Sequence, residues 1–118
     1  MLKLVGLQVW RGALLLADYL FSCCVDIKDK NILELGAGVG LTSIAAAIYS
    51  ENVVSTDVDI GGILNLIKEN CQRNRKLIKN DINVMELNFK SKIFSPKLEQ
   101  ALENTDIVLA ADGMSKFK

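Results

Sequence analysis

Three glycines that separate an apolar run from an amphipathic run are the residues best suited to chemistry in this sequence. The segment NILELGAGVGLTSIAAA (31–47) contains Gly36, Gly38 and Gly40, and Glu34 stands two residues before the first glycine. Glycine allows left-handed backbone and a close approach of the chain to a ligand. A glycine-rich turn between a strand and a helix therefore indicates a nucleotide-like ligand.

The spacing of the glycines argues against a nicotinamide dinucleotide. The dinucleotide fingerprint G-x-G-x-x-G would require a glycine at position 41, where this chain has Leu41. The carboxylate of Glu34 at the strand end also disfavours a pyrophosphate. It favours a ligand with a positive group, and S-adenosylmethionine fits because it carries an ammonium and a sulfonium but no phosphate. A nicotinamide-dependent oxidoreductase is the less favoured alternative.

Further candidate ligand contacts follow the later strands of the chain. Asp57 ends the second predicted strand, at the distance expected of a carboxylate that binds a ribose diol. Asn88 ends the third and is expected to hydrogen-bond the adenine edge, with Phe89 beside it as a flat apolar surface. Simpler alternatives to ligand binding stay open for both residues. In these, Asp57 is the N-cap of the next helix and Asn88 only ends the third strand.

The order of the predicted elements indicates an α/β doubly wound parallel sheet. Apolar spacings of three and four predict helices, and a Ser-Pro pair predicts the start of another. The predicted helices are 11–24, 41–48, 60–79 and 96–104, and the predicted strands are 32–35, 53–56, 82–89 and 107–111. Alternation of this kind implies right-handed crossovers, helices on both faces and the strand order third, second, first, fourth. Ligands bind beyond the carboxyl ends of such strands, where the glycines, Asp57, Asn88 and Asp112 all fall.

Composition narrows the classes of function further. The chain has 118 residues, 50% of them hydrophobic, and a net charge of zero, which argues against disorder and against a general nucleic-acid or membrane-surface binder. It has no histidine, which excludes histidine acid–base chemistry and most zinc sites. Three cysteines without metal-ligand spacing suit an intracellular compartment, nuclear or cytoplasmic. The run GALLLADYLFSCC is too short and polar to span a bilayer, and we interpret it as a buried amphipathic helix.

Five segments together resemble the seven-strand S-adenosylmethionine-dependent methyltransferases of the methyltransferase-like protein-lysine group. They are GLQVWRGALLLADYL, ILELGAGVGLTSIAAA, STDVD, MELNF and IVLAAD, which together extend over about residues 4–112. The resemblance implies a Rossmann-like class I methyltransferase fold, S-adenosylmethionine as the cofactor and a lysine side chain of another protein as the methyl acceptor. We assign residues 1–118 to the methyltransferase domain, with an N-terminal helix region at 1–30 and a βαβ core at 31–112.

The resemblance also implies roles for individual residues. The residues that match cofactor-binding positions of the family are Trp10, Gly36, Ala37, Gly38, Asp57, Phe89 and Ala111. Trp10 matches a tryptophan in the cofactor pocket, although a core anchor is an alternative for it. Phe89 stands where the family usually has a tryptophan against the adenine. The backbone at Ala111 is expected to approach the cofactor.

Two departures from the family pattern affect the expected activity. After the fourth strand the family has an acid and, three residues later, an aromatic that flank the incoming lysine. Here Asp112 is the candidate catalytic acid, but Ser115 stands at the aromatic position, so an ordinary turn acid is an alternative for Asp112. The family fold also continues with three more strands, whereas this sequence ends at Lys118.

The fourth predicted strand carries a related signal. Residues 107–111 are consecutively apolar, the pattern of a strand buried on both faces, yet they would form a sheet edge without charge or proline. We therefore expect a C-terminally truncated domain whose exposed fourth strand leaves room for a covering partner. Either the chain still methylates a protein, or it is a non-catalytic module that binds the cofactor or a protein.

Overall fold

The computed structural model describes residues 11–111, so Trp10 and Asp112 of the predicted site lie outside the described residues. In chain order the elements of that range are α1 (Arg11–Ser22), α2 (Cys24–Ile27), β1 (Asn31–Leu35), α3 (Leu41–Ala47), β2 (Asn52–Asp57), α4 (Ile63–Arg73), β3 (Asn83–Glu86), α5 (Pro96–Asn104) and β4 (Ile107–Ala110). Strands and helices alternate from β1 onward, as the sequence predicts.

The four strands form one parallel sheet in the order β3-β2-β1-β4, which confirms the predicted order. Strand β1 lies in the interior, where Leu33 is opposite Val54 on one side and Val108 on the other. Strands β3 and β4 are the two edges of the described sheet. The carboxyl ends of all four strands meet at one end of the sheet, where we expect the ligand.

Helices cover both faces of the sheet because side chains alternate along each strand. Ile32, Val53 and Leu109 pack in one buried cluster with residues of α1 and α3. Val54 points to the opposite face, where it lines a groove together with Ala101 of α5. The predicted doubly wound arrangement is confirmed.

Two predicted helices are wrong in their bounds. The segment 60–79 contains only α4, because Gly61 and Gly62 adopt φ angles of 61° and 75° before it and Asn74 leaves helical geometry after it at φ −109°. The segment 11–24 is broken at Cys23, where φ is −112° and ψ is 31°, and α2 follows.

Helix α1 is amphipathic, but it is less buried than predicted. Ala17 and Leu20 are 4% and 1% exposed in the core. Leu14, Leu15 and Tyr19 are 52%, 63% and 64% exposed on its outer side. Across residues 11–111, no helix combines the length and the apolar character that crossing a bilayer would require.

The amino end of α5 allows a direct test of a predicted helix start. Ser95 is the N-cap and its Oγ accepts a hydrogen bond from Leu98 N at 3.2 Å, with Pro96 at the first helical position. Because the cap satisfies one otherwise unpaired N–H, Ser95→Ala should lower the free energy of unfolding by about 1 kcal/mol, measured by urea denaturation. Ser22→Ala is the control, since the Ser22 hydroxyl donates to Asp18 O on an exposed surface. An equal loss in both variants would contradict the prediction.

Candidate functional site

The loop between β1 and α3 has the backbone that its glycines predict. Gly36, Gly38 and Gly40 adopt φ angles of 65°, 61° and 92°, a region that other residues rarely occupy. Ala37 N donates to Thr56 O at 2.9 Å, which ties the loop to the end of β2. The loop is therefore a fixed part of the sheet's carboxyl end.

The glycines of this loop differ in what surrounds them. A Cβ at Gly40 would lie 3.3 Å from Cγ2 of Ile67, so this glycine allows the loop to pack closely against α4. Within residues 11–111, a Cβ at Gly38 would meet no atom within 4 Å. Gly38 therefore faces space that these residues leave open at the carboxyl end of the sheet, which suits a close approach of its backbone to a ligand.

The predicted ribose-binding acid lies next to Gly38. Asp57 is 2% exposed; its Oδ2 accepts a hydrogen bond from Gly38 N at 2.9 Å and its Oδ1 accepts one from Val58 N at 2.7 Å. Each carboxylate oxygen has a second lone pair besides the one that these N–H groups use. The alternative of Asp57 as a helix cap is wrong, because the N-cap of α4 is Gly62.

The other predicted acid, Glu34, lies beneath the loop. It is 1% exposed, and its Oε1 lies 2.6 Å from the hydroxyl of Ser43, which itself lies 2.8 Å from the hydroxyl of Ser55. Burial raises the pKa of Glu34 to about 8, against the opposing effect of the hydrogen bond from Ser43. The neutral carboxyl therefore predominates at neutral pH. That Glu34 binds a positive group of a ligand stays a prediction.

Three polar residues that support the loop were not identified from the sequence. Ser43 on α3 forms a buried contact with Glu34, Ser55 on β2 in turn contacts the Ser43 hydroxyl, and Asn70 on α4 donates to Val39 O at 2.8 Å. All three are 0% exposed. The sequence did carry a signal for them: each is a polar residue at a position that the apolar periodicity assigns to the core. A polar residue buried there requires a hydrogen-bond partner.

The remaining predicted contacts lie at the same end of the sheet. The predicted strand 82–89 is too long, since β3 ends at Glu86 and Asn88 lies beyond it. Leu87 N donates to Asp57 O at 3.0 Å, so Asn88 and Phe89 come shortly after β3, beside the end of β2. The side chain of Asn88 accepts from Lys90 N in a local turn, and Phe89 is 43% exposed. Their roles in ligand binding stay predictions.

Ala111 is placed by the register of β1 and β4. Leu35 lies opposite Ala110, so Gly36 and Ala111 are the next residues after two neighbouring strands. This places Ala111 beside the glycine loop, as its predicted role requires, and the role itself stays a prediction.

Solved structures share this arrangement. A dimethyladenosine transferase from Plasmodium falciparum superposes with a TM-score of 0.57 over 89% of this chain and 33% of that chain, at 22% sequence identity. This likeness establishes the fold, a Rossmann-like class I methyltransferase fold.

Curated proteins show sequence similarity at higher identity. Human Methyltransferase-like protein 22 is 50% identical over 70 residues, which are 59% of this chain and 16% of that protein. Mouse Protein-lysine methyltransferase METTL21E is 34% identical over 110 residues, 91% of this chain and 44% of that protein. Xenopus laevis Histone-arginine methyltransferase METTL23 is 35% identical over 107 residues, again 91% of this chain and 44% of that protein. The chain thus spans less than half the length of these relatives.

A family model described as lysine methyltransferase matches residues 1–116. The match includes the glycine loop, Asp57 and the ends of β3 and β4, whose geometry is given above. Because it extends over nearly the whole sequence, the chain belongs to the lysine methyltransferase family.

Proposed function

We propose that this chain forms the cofactor-binding part of an S-adenosylmethionine-dependent protein-lysine methyltransferase. The observation that carries the proposal is the hydrogen bond between Gly38 N and the carboxylate of Asp57 at the open carboxyl end of the sheet. It sets an acid beside a glycine whose missing side chain leaves open space. Membership of the family and the similarity to Protein-lysine methyltransferase METTL21E support lysine as the acceptor.

The hydrogen bonding of the loop favours this cofactor over a dinucleotide. Three loop N–H groups already donate within the protein, from Ala37 to Thr56 O, from Gly38 to Asp57 and from Gly40 to Ala37 O. A pyrophosphate would require such N–H groups to be free. Residues 34–41 also contain no basic residue that would neutralise a pyrophosphate. S-adenosylmethionine needs no phosphate-binding groups, so the residues present fit it.

The chain's own residues would bind and orient the reactants. When bound, S-adenosylmethionine supplies an electrophilic methyl group on a sulfonium. The Asp57 carboxylate, which accepts from Gly38 N, would accept hydrogen bonds from a ribose diol, and Phe89 would offer a flat apolar surface to the adenine. The acceptor amine must be neutral, desolvated and in line for attack, and Asp112 is the acid expected to orient it.

Calorimetric titration of the chain with S-adenosylhomocysteine, and with NADH as the control ligand, tests the cofactor assignment. We expect micromolar binding of the former alone. Asp57→Ala should weaken that binding by about 1–3 kcal/mol, the loss of a charge-assisted hydrogen bond. Asp59→Ala is the matched control, since Asp59 is an exposed acid two residues away. Unchanged affinity in a folded Asp57→Ala variant, or binding of NADH, would contradict the assignment.

A non-catalytic module is the second candidate, and the exposed edge strand favours it. Val108 on β4 is 54% exposed, so this face of the strand can take a covering protein. Incubation of the chain with radiolabelled S-adenosylmethionine and a protein extract, followed by amino-acid analysis, separates the candidates. Radiolabel in methyllysine would support the proposal. Radiolabel in methylarginine would show that the acceptor is arginine and not lysine. Cofactor binding without any transfer would support the module.

A further inference from the structure

A second concave surface lies between α4 and the amino end of the edge strand β3. This groove has a volume of about 270 Å³. One wall is a face of α4 that carries Lys68, Cys71 and Gln72, and it is continued by Arg75, two residues after the helix ends. The groove borders the start of β3, whereas the candidate site lies beyond the carboxyl ends of the strands. A segment bound here would leave the glycine loop free.

The floor of the groove is apolar. Cys71 is 8% exposed and belongs to a buried cluster with Ile67, against which Ile78, Ile82 and Val84 pack while partly buried. The last three residues and Cys71 all line the groove. The floor is thus an uncovered surface of the core, which favours the burial of apolar side chains from a partner.

The rim of the groove is basic. Within residues 11–111, no carboxylate oxygen lies within 4.0 Å of the Lys68 ammonium. Arg75 Nε lies 3.9 Å from Asp81 Oδ1, with side chains 63% and 82% exposed, so solvent screens this pair strongly. Lys76 adds a further exposed positive charge next to the rim. The positive potential of the rim would therefore attract carboxylates of a partner.

We propose that this groove docks an extended segment of a partner protein that alternates acidic and apolar residues. The apolar floor would take its alternate side chains, and Lys68 and Arg75 would bind its carboxylates. Single-stranded nucleic acid fits the groove less well, because its lining residues within 11–111 include Asp81 and no aromatic side chain for base stacking. The proposal does not depend on the cofactor assignment.

Three fluorescent ten-residue peptides test the chemistry of the groove. Each has leucine at alternate positions, and the positions between them are glutamate, glutamine or lysine. Anisotropy at low salt with the full chain should show at least tenfold tighter binding of the glutamate peptide than of the glutamine peptide, and that binding should weaken as salt is added. Absence of binding by the glutamate peptide would overturn the proposal, as would equal or tighter binding of the lysine peptide or of a ten-nucleotide oligothymidylate.

Charge reversal locates the binding surface. The double variant Lys68→Glu, Arg75→Glu should bind the glutamate peptide at least tenfold more weakly. Its affinity for S-adenosylhomocysteine should not change. The control pair is Lys90→Glu with Lys97→Glu, which makes the same change in net charge away from the groove. All four residues are exposed, so we expect both variants to fold. An equal loss of peptide binding in the control pair would overturn the proposal.

Discussion

Replacing Gly38 by alanine is expected to weaken S-adenosylhomocysteine binding more than tenfold while destabilising the chain no more than the same replacement at Gly61. Both glycines have a φ of 61°, and at neither would the new Cβ meet an atom of residues 11–111 within 4 Å. The left-handed backbone costs an alanine about 1–2 kcal/mol in either place. The new methyl group differs only in its location, since at Gly38 it would occupy the space beside Asp57 where we place the cofactor.

Calorimetric titration and urea denaturation of the two variants separate strain from obstruction. The expected result is a loss of affinity of more than tenfold for Gly38→Ala only, with similar free energies of unfolding for both. Gly40→Ala should be less stable than either, because its Cβ would press against Ile67 at 3.3 Å. Full binding by Gly38→Ala would show that the cofactor does not lie against this loop.

The layout of the fold was predictable because few topologies satisfy the rules of parallel sheets. Alternating strands and helices with right-handed crossovers leave β3-β2-β1-β4 as the natural order, and the structure has it. Helix bounds were less predictable, because apolar periodicity continues through Gly61 and Gly62 while their backbone does not. The two consecutive glycines did indicate that the helix begins after them, but the apolar periodicity pointed to an earlier start.

The location of the site was more predictable than its internal contacts. Glu34 and Asp57 end neighbouring strands, so parallel pairing brings them to the same end of the sheet. The direction of each carboxyl depends on partners from other elements, Ser43 for Glu34 and Gly38 N for Asp57. Sequence spacing does not encode such contacts, which is why the support from Ser43 and Ser55 went unrecognised.

The free energy of unfolding is expected to fall as the pH rises from about 5 to 8, because of Glu34. Its ordinary pKa is 4.5, and burial raises the pKa to about 8 in the native chain. Between these values the unfolded chain is ionised at this carboxyl and the native chain is protonated, so unfolding releases a proton. The contribution is fully present below pH 4.5 and is lost as the pH rises through 8. At 1.36 kcal/mol per pKa unit, the loss is about 5 kcal/mol.

The composition of the chain makes this pH window unusually simple. There is no histidine, the side chain that normally titrates between pH 5 and 8. Burial raises the pKa of Cys71 to about 11, which lies above the window. Urea denaturation at several pH values between 5.5 and 8.5 should therefore report mainly on Glu34.

Glu34→Gln isolates the carboxyl. Glutamine keeps the shape and a hydrogen bond to Ser43 but does not ionise, so the stability of this variant should stay nearly constant across the window. Glu86→Gln is the control, because that side chain is exposed and accepts from Asp59 N at 3.3 Å. In Glu86→Gln the free energy of unfolding should fall with pH as steeply as in the wild-type chain. A flat profile for the unchanged chain would contradict the prediction.

The same titration with bound S-adenosylhomocysteine tests whether Glu34 acts on the cofactor. An ammonium group close to the buried carboxyl would favour its ionised form and lower its pKa, opposing the effects of burial and of the neighbouring Asp57 charge. Binding would then release a proton near neutral pH, and the pH slope of the complex would flatten. If the slope is the same with and without ligand, Glu34 does not act on the cofactor and only supports the loop, through its contact with Ser43. The positive group would then be bound elsewhere at the carboxyl end of the sheet.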